Sequence, residues 1–347
     1  MGYAGITDIT KYSDYVLQDG DILMSHINSE THLGKVARYE KYEGETIIHG
    51  MNLLCLRPNK NLVDSRYAFY YLSSEAFLHQ IPRITKKSVN QASFNVAALK
   101  ELTFPISSME VQQPVADILD KANELIALRK EQLAKLDELV KARFVEMFGI
   151  YPANPKGWET GTIRDVVSDV RYGSSRPAVD GGKYPYLRMN NITYGGELDL
   201  SDTKRIDIPD NELDKCTVRR GDVLFNRTNS KELVGKTCVY NRDDMMVLAG
   251  FVIRVRVSER ILPEFLSEFL NTEFSKQMLL AMCKTAIGQA NINAQEMQNI
   301  GLYLPPIELQ RKFVQFKEQT DKSKVAVQKA LDEAQLLFDS LMQKYFG

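Results

Sequence analysis

Two kinds of hydrophobic pattern alternate along the chain. Short apolar, β-favouring runs bounded by Gly, Asn and Asp come first: DILMS at 21–25 and NLLCLR at 52–57, then, far downstream, DVLFN at 222–226 and GFVIRVRV at 250–257. Such runs predict strands joined by turns. A short helix is expected after each set, over 66–79 and 263–282. The second pattern is long and periodic. Between 110 and 148 there is no glycine, and the one proline is Pro114; Leu119, Ile126, Leu133, Val140 and Met147 recur every seven residues, with Ala122 and Leu136 at the intervening d-type positions. That spacing predicts a coiled-coil helix. A second such helix is expected over 308–345, with a stripe of Phe313, Phe316, Val327, Ala330, Ala334, Leu337 and Leu341. At about 1.5 Å per residue, the first helix is roughly 60 Å long, more than a globular domain needs.

The two halves are copies of one another. Residues 20–39, GDILMSHINSETHLGKVARY, align without gaps on 221–240, GDVLFNRTNSKELVGKTCVY, at an offset of 201. Gln91-Ala92-Ser93-Phe94-Asn95 aligns on Gln289-Ala290-Asn291-Ile292-Asn293 at a slightly shorter offset, which persists through Glu110 and Gln112 (against Glu308 and Gln310) to Phe148-Gly149 (against Phe346-Gly347). One register held that far marks a tandem duplication. Each copy is a β-rich head followed by a long helix: heads at 1–105 and 150–305, helices at 106–149 and 306–347. Paired antiparallel, the helices hold two similar heads at a fixed distance about a pseudo-twofold axis, in an α+β fold. Copy two has a stretch of roughly 157–201 that copy one lacks, because Met1 aligns with residue 202. The first head is therefore expected to be shortened and to expose apolar surface.

Composition narrows the function classes. The chain has 347 residues, 44% of them hydrophobic and 26% charged, which is ordinary for a folded protein. Lys plus Arg number 44 against 45 Asp plus Glu, so any surface for a polyanion must be a local patch. The four cysteines (Cys55, Cys216, Cys238, Cys283) form no CxxC pair, which argues against a zinc site or a disulfide framework and for a cytoplasmic protein. No apolar run is long enough to span a membrane, and the N-terminus lacks a signal-peptide core.

Enzymatic motifs fail one by one. Residues 230–237, SKELVGKT, approach a phosphate-binding loop, but the first position is Ser and a strand-like TCVYN follows where a helix must open. There is no Gly-rich cofactor loop and no Asn/Asp-Pro-Pro-aromatic motif of a methyltransferase. A nuclease-like acidic-x-Lys spacing after Pro209-Asp210 is broken by Leu213. The histidines, His26, His32, His49 and His79, all lie in copy one, so no catalytic histidine is shared.

This layout of head, helix, head, helix resembles the specificity subunit of type I restriction-modification systems. The likeness rests on the duplicated GD(I/V)L block ending in GK and the duplicated Gln-Ala-x-x-Asn loop. It extends to the hydrophobic-Pro helix starts, FPISSMEVQQ at 104–113 and LPPIELQRK at 304–312. The resemblance implies a non-catalytic DNA-recognition subunit in which each head reads half of a bipartite double-stranded DNA target and the helices set the spacer. It also implies docking of two methyltransferase subunits, which carry S-adenosylmethionine, and of restriction-translocase subunits in the full complex. The chain itself is expected to hold no cofactor and no metal. The alternative is a non-catalytic coiled-coil adaptor whose heads bind protein.

Base reading needs Arg, Lys, Asn, Gln, Ser and Thr on exposed loops. In copy two the candidates are Arg171, Tyr172, Ser174, Ser175 and Arg176; Arg188, Asn190 and Asn191; Arg227, Thr228, Asn229 and Lys231; and Lys284, Thr285 and Gln289. In copy one they are Ser25, His26, Asn28, Lys86, Lys87 and Gln91. Lys236 and its counterpart Lys35, beside the tight Gly turn, are expected to meet phosphate or support that turn. Asn28/Asn229 and Asn95/Asn293 recur in both copies, which favours shared structural turns. His26 against Arg227, and Ser25 against Asn226, differ and are the better candidates for discriminating bases.

Overall fold

The computed structural model describes residues 8–89, 91–286 and 289–347, without the side chains of 284–286 and 289. The chain forms two compact units, residues 1–133 with 326–347 and residues 134–325, so each long helix contributes to both.

In the first unit, Ile22–Ser25 is the central strand of an antiparallel sheet between Val36–Arg38 and Leu53–Leu56. The helix Ser65–Ser73 closes one face, its start capped by the Asp64 carboxylate, which accepts from the Arg66 and Tyr67 amides. Tyr67, Tyr70, Tyr71 and Leu72 of that helix pack with Ile22, Met24, Phe77, Ile81 and Phe94, and with Val115, Ala116, Leu119 and Phe346 of the long helices.

The second unit repeats this plan pair for pair. Val223–Asn226 lies between Thr237–Val239 and Val252–Val257, and the register Ile22↔Arg38 becomes Val223↔Val239. The ribbon Ile27–Asn28, Ala92–Ser93, Lys86–Lys87 becomes Thr228–Asn229, Gln289–Asn291, Lys284–Ala286. The helix Pro263–Asn271 stands where Ser65–Ser73 stands.

The polar contacts of the buried Asp21, Asp222, Gln112 and Gln310 are duplicated too. Arg57 pairs with Asp21 at 2.7 Å, as Arg256 does with Asp222 at 2.9 Å. Gln112 and Gln310 are fully buried at the starts of the long helices. The Gln112 amide accepts from the Asp64 N–H and donates to the Leu62 and Ser107 carbonyls; Gln310 accepts from the Leu262 N–H and donates to those of Arg260 and Pro305. The GK turn owes its glycine to two constraints at once. Gly34 and Gly235 have φ of +77° and +80°, and a Cβ at either would meet the helix behind it, at Ile81 or Leu279, within 2.8 Å.

The units differ at one edge. In the second, Val167–Tyr172 pairs along Val252–Val257, and a further sheet orders Lys204–Ile206, Tyr184–Leu187, Met246–Leu248 and Thr217–Val218. Among the described residues of the first unit, only a bridge from Val16 to Ile48 stands where Thr217 pairs with Val247. Consequently Val252, Ile253 and Val255 are fully buried, whereas Leu53–Leu56 is half-buried throughout. The edge strand also covers Arg254, 2% exposed, whose guanidinium donates to Asp169 at 2.8 Å and to the Asp214 and Thr217 carbonyls. Burial opposes the charge on Asp169, but the guanidinium groups of Arg171 and Arg254 hold its carboxyl below the usual range.

The long helices are Met109–Phe148 and Ile307–Phe346, 40 residues each. Inward positions on the first are Leu119, Ala122, Ile126, Leu133, Leu136, Val140 and Met147, as the heptads predict. On the second, Phe316, Val327, Ala330, Ala334 and Leu341 turn inward, but Leu337 is 52% exposed. The expectation for Leu337 is thus corrected. Steps of three and four from Val327 lead to Ala334, Phe338 and Leu341, and a residue one place before Phe338 lies about 100° off that stripe.

Candidate nucleic-acid interface

In the second unit, three segments far apart in sequence meet at the end of the central strand. Arg227 follows Asn226 directly, and its guanidinium lies over the Tyr172 ring at 4.8 Å. It donates to the Gly250 carbonyl at 3.5 Å and to the Asn291 side chain at 3.3 Å. The Tyr172 hydroxyl accepts from the Ala294 amide, and the Asn291 side chain donates to the Thr228 hydroxyl. The Gly250 amide donates to the Ser174 carbonyl at 2.7 Å. The aromatic face, the two acceptors and the backbone clamp restrict the arginine's rotamers before any ligand arrives.

The first unit places a different side chain at the equivalent position, over a backbone carbonyl that corresponds to one of the acceptors of Arg227. The ring nitrogens of His26 stand 3.1 Å from the Phe94 carbonyl and 3.0 Å from the Met51 carbonyl, the latter the positional equivalent of the Gly250 carbonyl beneath Arg227. The strands and that carbonyl are common to both copies; the side chain is not, and the Tyr172 ring comes from the edge strand at which the units differ.

The other candidates sort by burial. Arg171, Ser175, Arg176, Asn190 and Lys231 are exposed, with Arg171 paired to Asp169 and Arg176 to Glu212. Arg188 is half-buried and paired to Asp202. In the first unit Asn28, Lys35, Lys86, Lys87 and Gln91 are exposed; Lys35 contacts His32 and Lys87 pairs with Glu30. The side chains of Lys284, Thr285 and Gln289 lie outside the described residues.

Five candidates are not on exposed loops. Ser25, Ser174, Asn191, Thr228 and Lys236 are each less than 9% exposed. Asn191 accepts from the Arg188 amide and donates to the Asp199 and Asp202 carbonyls, while the Ser174 hydroxyl accepts from the Arg176 amide. These side chains shape the loops that carry the exposed residues. Asn28 and Asn229 occupy equivalent turns, each accepting from the next residue's amide and donating to Ser25 or Asn226.

Lys236 requires the largest revision. Its ammonium donates to the Met189 carbonyl at 2.9 Å, and burial pushes it below the usual lysine range. Nearby Lys276, bonded to the Gly235 carbonyl, is pushed down to about 8 by burial, with Lys236 and Lys141 contributing. Lys236→Ala should therefore lower stability by about 2 kcal/mol, the scale of a lost charged hydrogen bond. The slope of log affinity against log salt should stay unchanged; a slope smaller by about one would restore the phosphate contact.

Sequence reading missed Phe251. Its apolar run places it at the start of a strand, but it is half-exposed on the turn beside Arg227. The one signal in the sequence was Gly250, a turn former immediately before it. Among the described residues no helix is long and apolar enough to cross a membrane, and no group of His, Cys, Asp or Glu is arranged to hold a metal.

Comparison with known proteins agrees with this architecture. The family model for the type I restriction modification DNA specificity domain matches residues 4–138 and 155–334. The chain is 38% identical over 162 residues to the putative type I restriction enzyme MjaX specificity subunit of Methanocaldococcus jannaschii, covering 47% of this chain and 37% of that one. It is 22% identical over 311 residues to the EcoKI specificity subunit of Escherichia coli, covering 84% and 66%. The alignments thus span between about a third and two thirds of these relatives. A type I R-M chain solved in work on complex assembly and conformational transition has a similar fold (TM-score 0.59, 18% identity, 95% of this chain and 82% of that one). So does the S subunit from M. genitalium (TM-score 0.53, 17% identity, 95% and 83%). The repeated heads and their long helices are those of the type I restriction-modification DNA specificity domain family, to which this chain belongs.

Proposed function

We propose that the chain is the DNA-sequence-specificity subunit of a type I restriction-modification complex, each head reading one half of a bipartite duplex target. The observation that carries this reading is the position shared by His26 and Arg227, each beside an equivalent backbone carbonyl. Two copies keep the same strands, the same arginine on a buried aspartate and the same buried glutamine, yet present a different side chain at the same place. A protein-binding adaptor has no need of that variation; a reader of two different half-sites does.

The long helices pair antiparallel as a coiled coil. Two internal packings support this: Val115, Ala116 and Leu119 share a core with Phe346 in the first unit, and Phe144 and Phe148 meet Phe313 edge to face in the second. The subunit performs no chemistry itself. It docks two methyltransferase subunits, which supply S-adenosylmethionine, and restriction-translocase subunits in the full cytoplasmic complex. Selection of duplexes from a random pool, by the chain with its methyltransferase subunits, tests the reading. Enrichment of two constant blocks separated by a fixed gap supports it; no enrichment refutes it.

Arg227→Ala should relax preference at one position of the half-site read by the second head. A bidentate guanidinium–guanine pair discriminates by about 1–3 kcal/mol. Equal weakening on cognate and single-mismatch duplexes would assign Arg227 to phosphate or to the loop framework.

A further inference from the structure

Each head carries a tight turn immediately before a strand that lies beside the central one, Leu53–Leu56 or Val252–Val257, and each turn leaves a large apolar side chain in water. In the second unit the Val252 amide closes on the Ala249 carbonyl at 2.9 Å, with Phe251 inside the turn and 50% exposed. In the first, the Leu53 amide closes on the Gly50 carbonyl at 3.1 Å, with Met51, one turn position earlier than Phe251, inside and 92% exposed.

Both turns are fastened to the residue that differs between the copies. The Phe251 carbonyl accepts from the Arg227 amide at 2.9 Å and from the Asn226 side chain at 3.2 Å. The neighbouring Gly250 carbonyl accepts from the Arg227 guanidinium. In the first unit the Met51 carbonyl faces the His26 ring at 3.0 Å, and the Asn52 carbonyl accepts from the His26 amide. An exposed apolar side chain on a loose loop needs no explanation. One clamped by its own backbone to a variable donor, in both copies, has a fixed position from which to make a contact.

We propose that Phe251 and Met51 are specificity-determining residues that pack against a thymine methyl group, next to the base pair addressed by Arg227 or His26. This rests on the DNA-reading function proposed above. The groove follows from the partner: a guanidinium that reads a guanine edge does so in the major groove, where the thymine methyl is the apolar mark. Phe251 is half-buried with its carbonyl held twice, so it offers a ring face rather than a protruding wedge between bases.

Deoxyuridine scanning of the selected target tests the proposal, because deoxyuridine pairs as thymidine does but lacks the methyl. With the chain and its methyltransferase subunits, one thymine-to-deoxyuridine change in the second half-site should weaken binding about fourfold, the worth of one buried methyl-sized group. Phe251→Ala should bind thymine and deoxyuridine duplexes equally, while Phe251→Leu, which keeps an apolar surface, should retain most of the preference. Met51→Ala should do the same at the first half-site. The proposal is overturned by a selected half-site without thymine, by a thymine preference that survives Phe251→Ala, or by a Phe251→Ala chain that loses only its hold on the methyltransferase subunit. A chain that selects no sequence overturns the DNA-reading function with it; a selected target without methyl dependence overturns the apolar contact alone.

Discussion

Gln310→Ala should destabilise the second unit by roughly 4 kcal/mol, among the larger effects of any single replacement in this chain. The side chain is fully buried and ties three backbone groups: the Leu262 amide, which enters the helix Pro263–Asn271, and the Arg260 and Pro305 carbonyls. Each buried group left without a partner costs about 1–3 kcal/mol, and water entering the space of the lost amide recovers part of it. Trp158, the chain's one tryptophan, lies in this unit with its indole N–H on the Phe148 carbonyl, so its fluorescence reports unfolding in urea. The duplication supplies an internal replicate. Gln112→Ala should free the Asp64 amide to exchange, as Gln310→Ala frees that of Leu262. A loss below about 1 kcal/mol would mean that neighbouring groups replace the glutamine, and that its recurrence in both copies is not energetic in origin.

Interactions that leave a periodic trace were the ones legible in the sequence. The heptads of the first helix marked its inward face from Leu119 to Met147, because every seventh position meets the same partner surface. The duplication itself was legible, and the structure carries it into the strand registers, since Ile22↔Arg38 and Val223↔Val239 are one pairing written twice. The buried polar residues left no such trace. Ser174, Asn191, Thr228 and Lys236 look like loop residues in sequence, and only the hydrogen bonds that satisfy them reveal that they face inward. Leu337 failed for a related reason: Leu336, Leu337 and Phe338 are consecutive apolar residues, and composition cannot say which of them lies on the stripe. Phe251 was obscured by continuity with the strand that begins at Val252. The Arg227 seat was half-legible, because divergence between copies marked the residue, while its support by Tyr172 and Asn291 depends on pairing between distant segments.

Lengthening both long helices should change the gap between the half-sites while leaving the half-sites themselves intact. The motivation is the equal length of the two helices, 40 residues each, without a glycine in either and with Pro114 confined to the start of the first. Four residues inserted after Leu128, with four more after Asp332, add about 6 Å and rotate the downstream part of each helix by about 40°, since four residues slightly exceed one helical turn. An insertion of four is a stutter, which coiled coils absorb by local unwinding, so the pair should survive it. At roughly 3.4 Å per base pair, the preferred gap should grow by one or two base pairs. The DNA turns by a comparable amount over such a step, so the lengthened chain should still address one face of the duplex with both heads. Selection from a pool with randomised gap lengths reads the result directly. The half-site sequences serve as the control: if they change along with the gap, the insertion has disturbed the heads, and if neither changes, the helices do not measure the spacer.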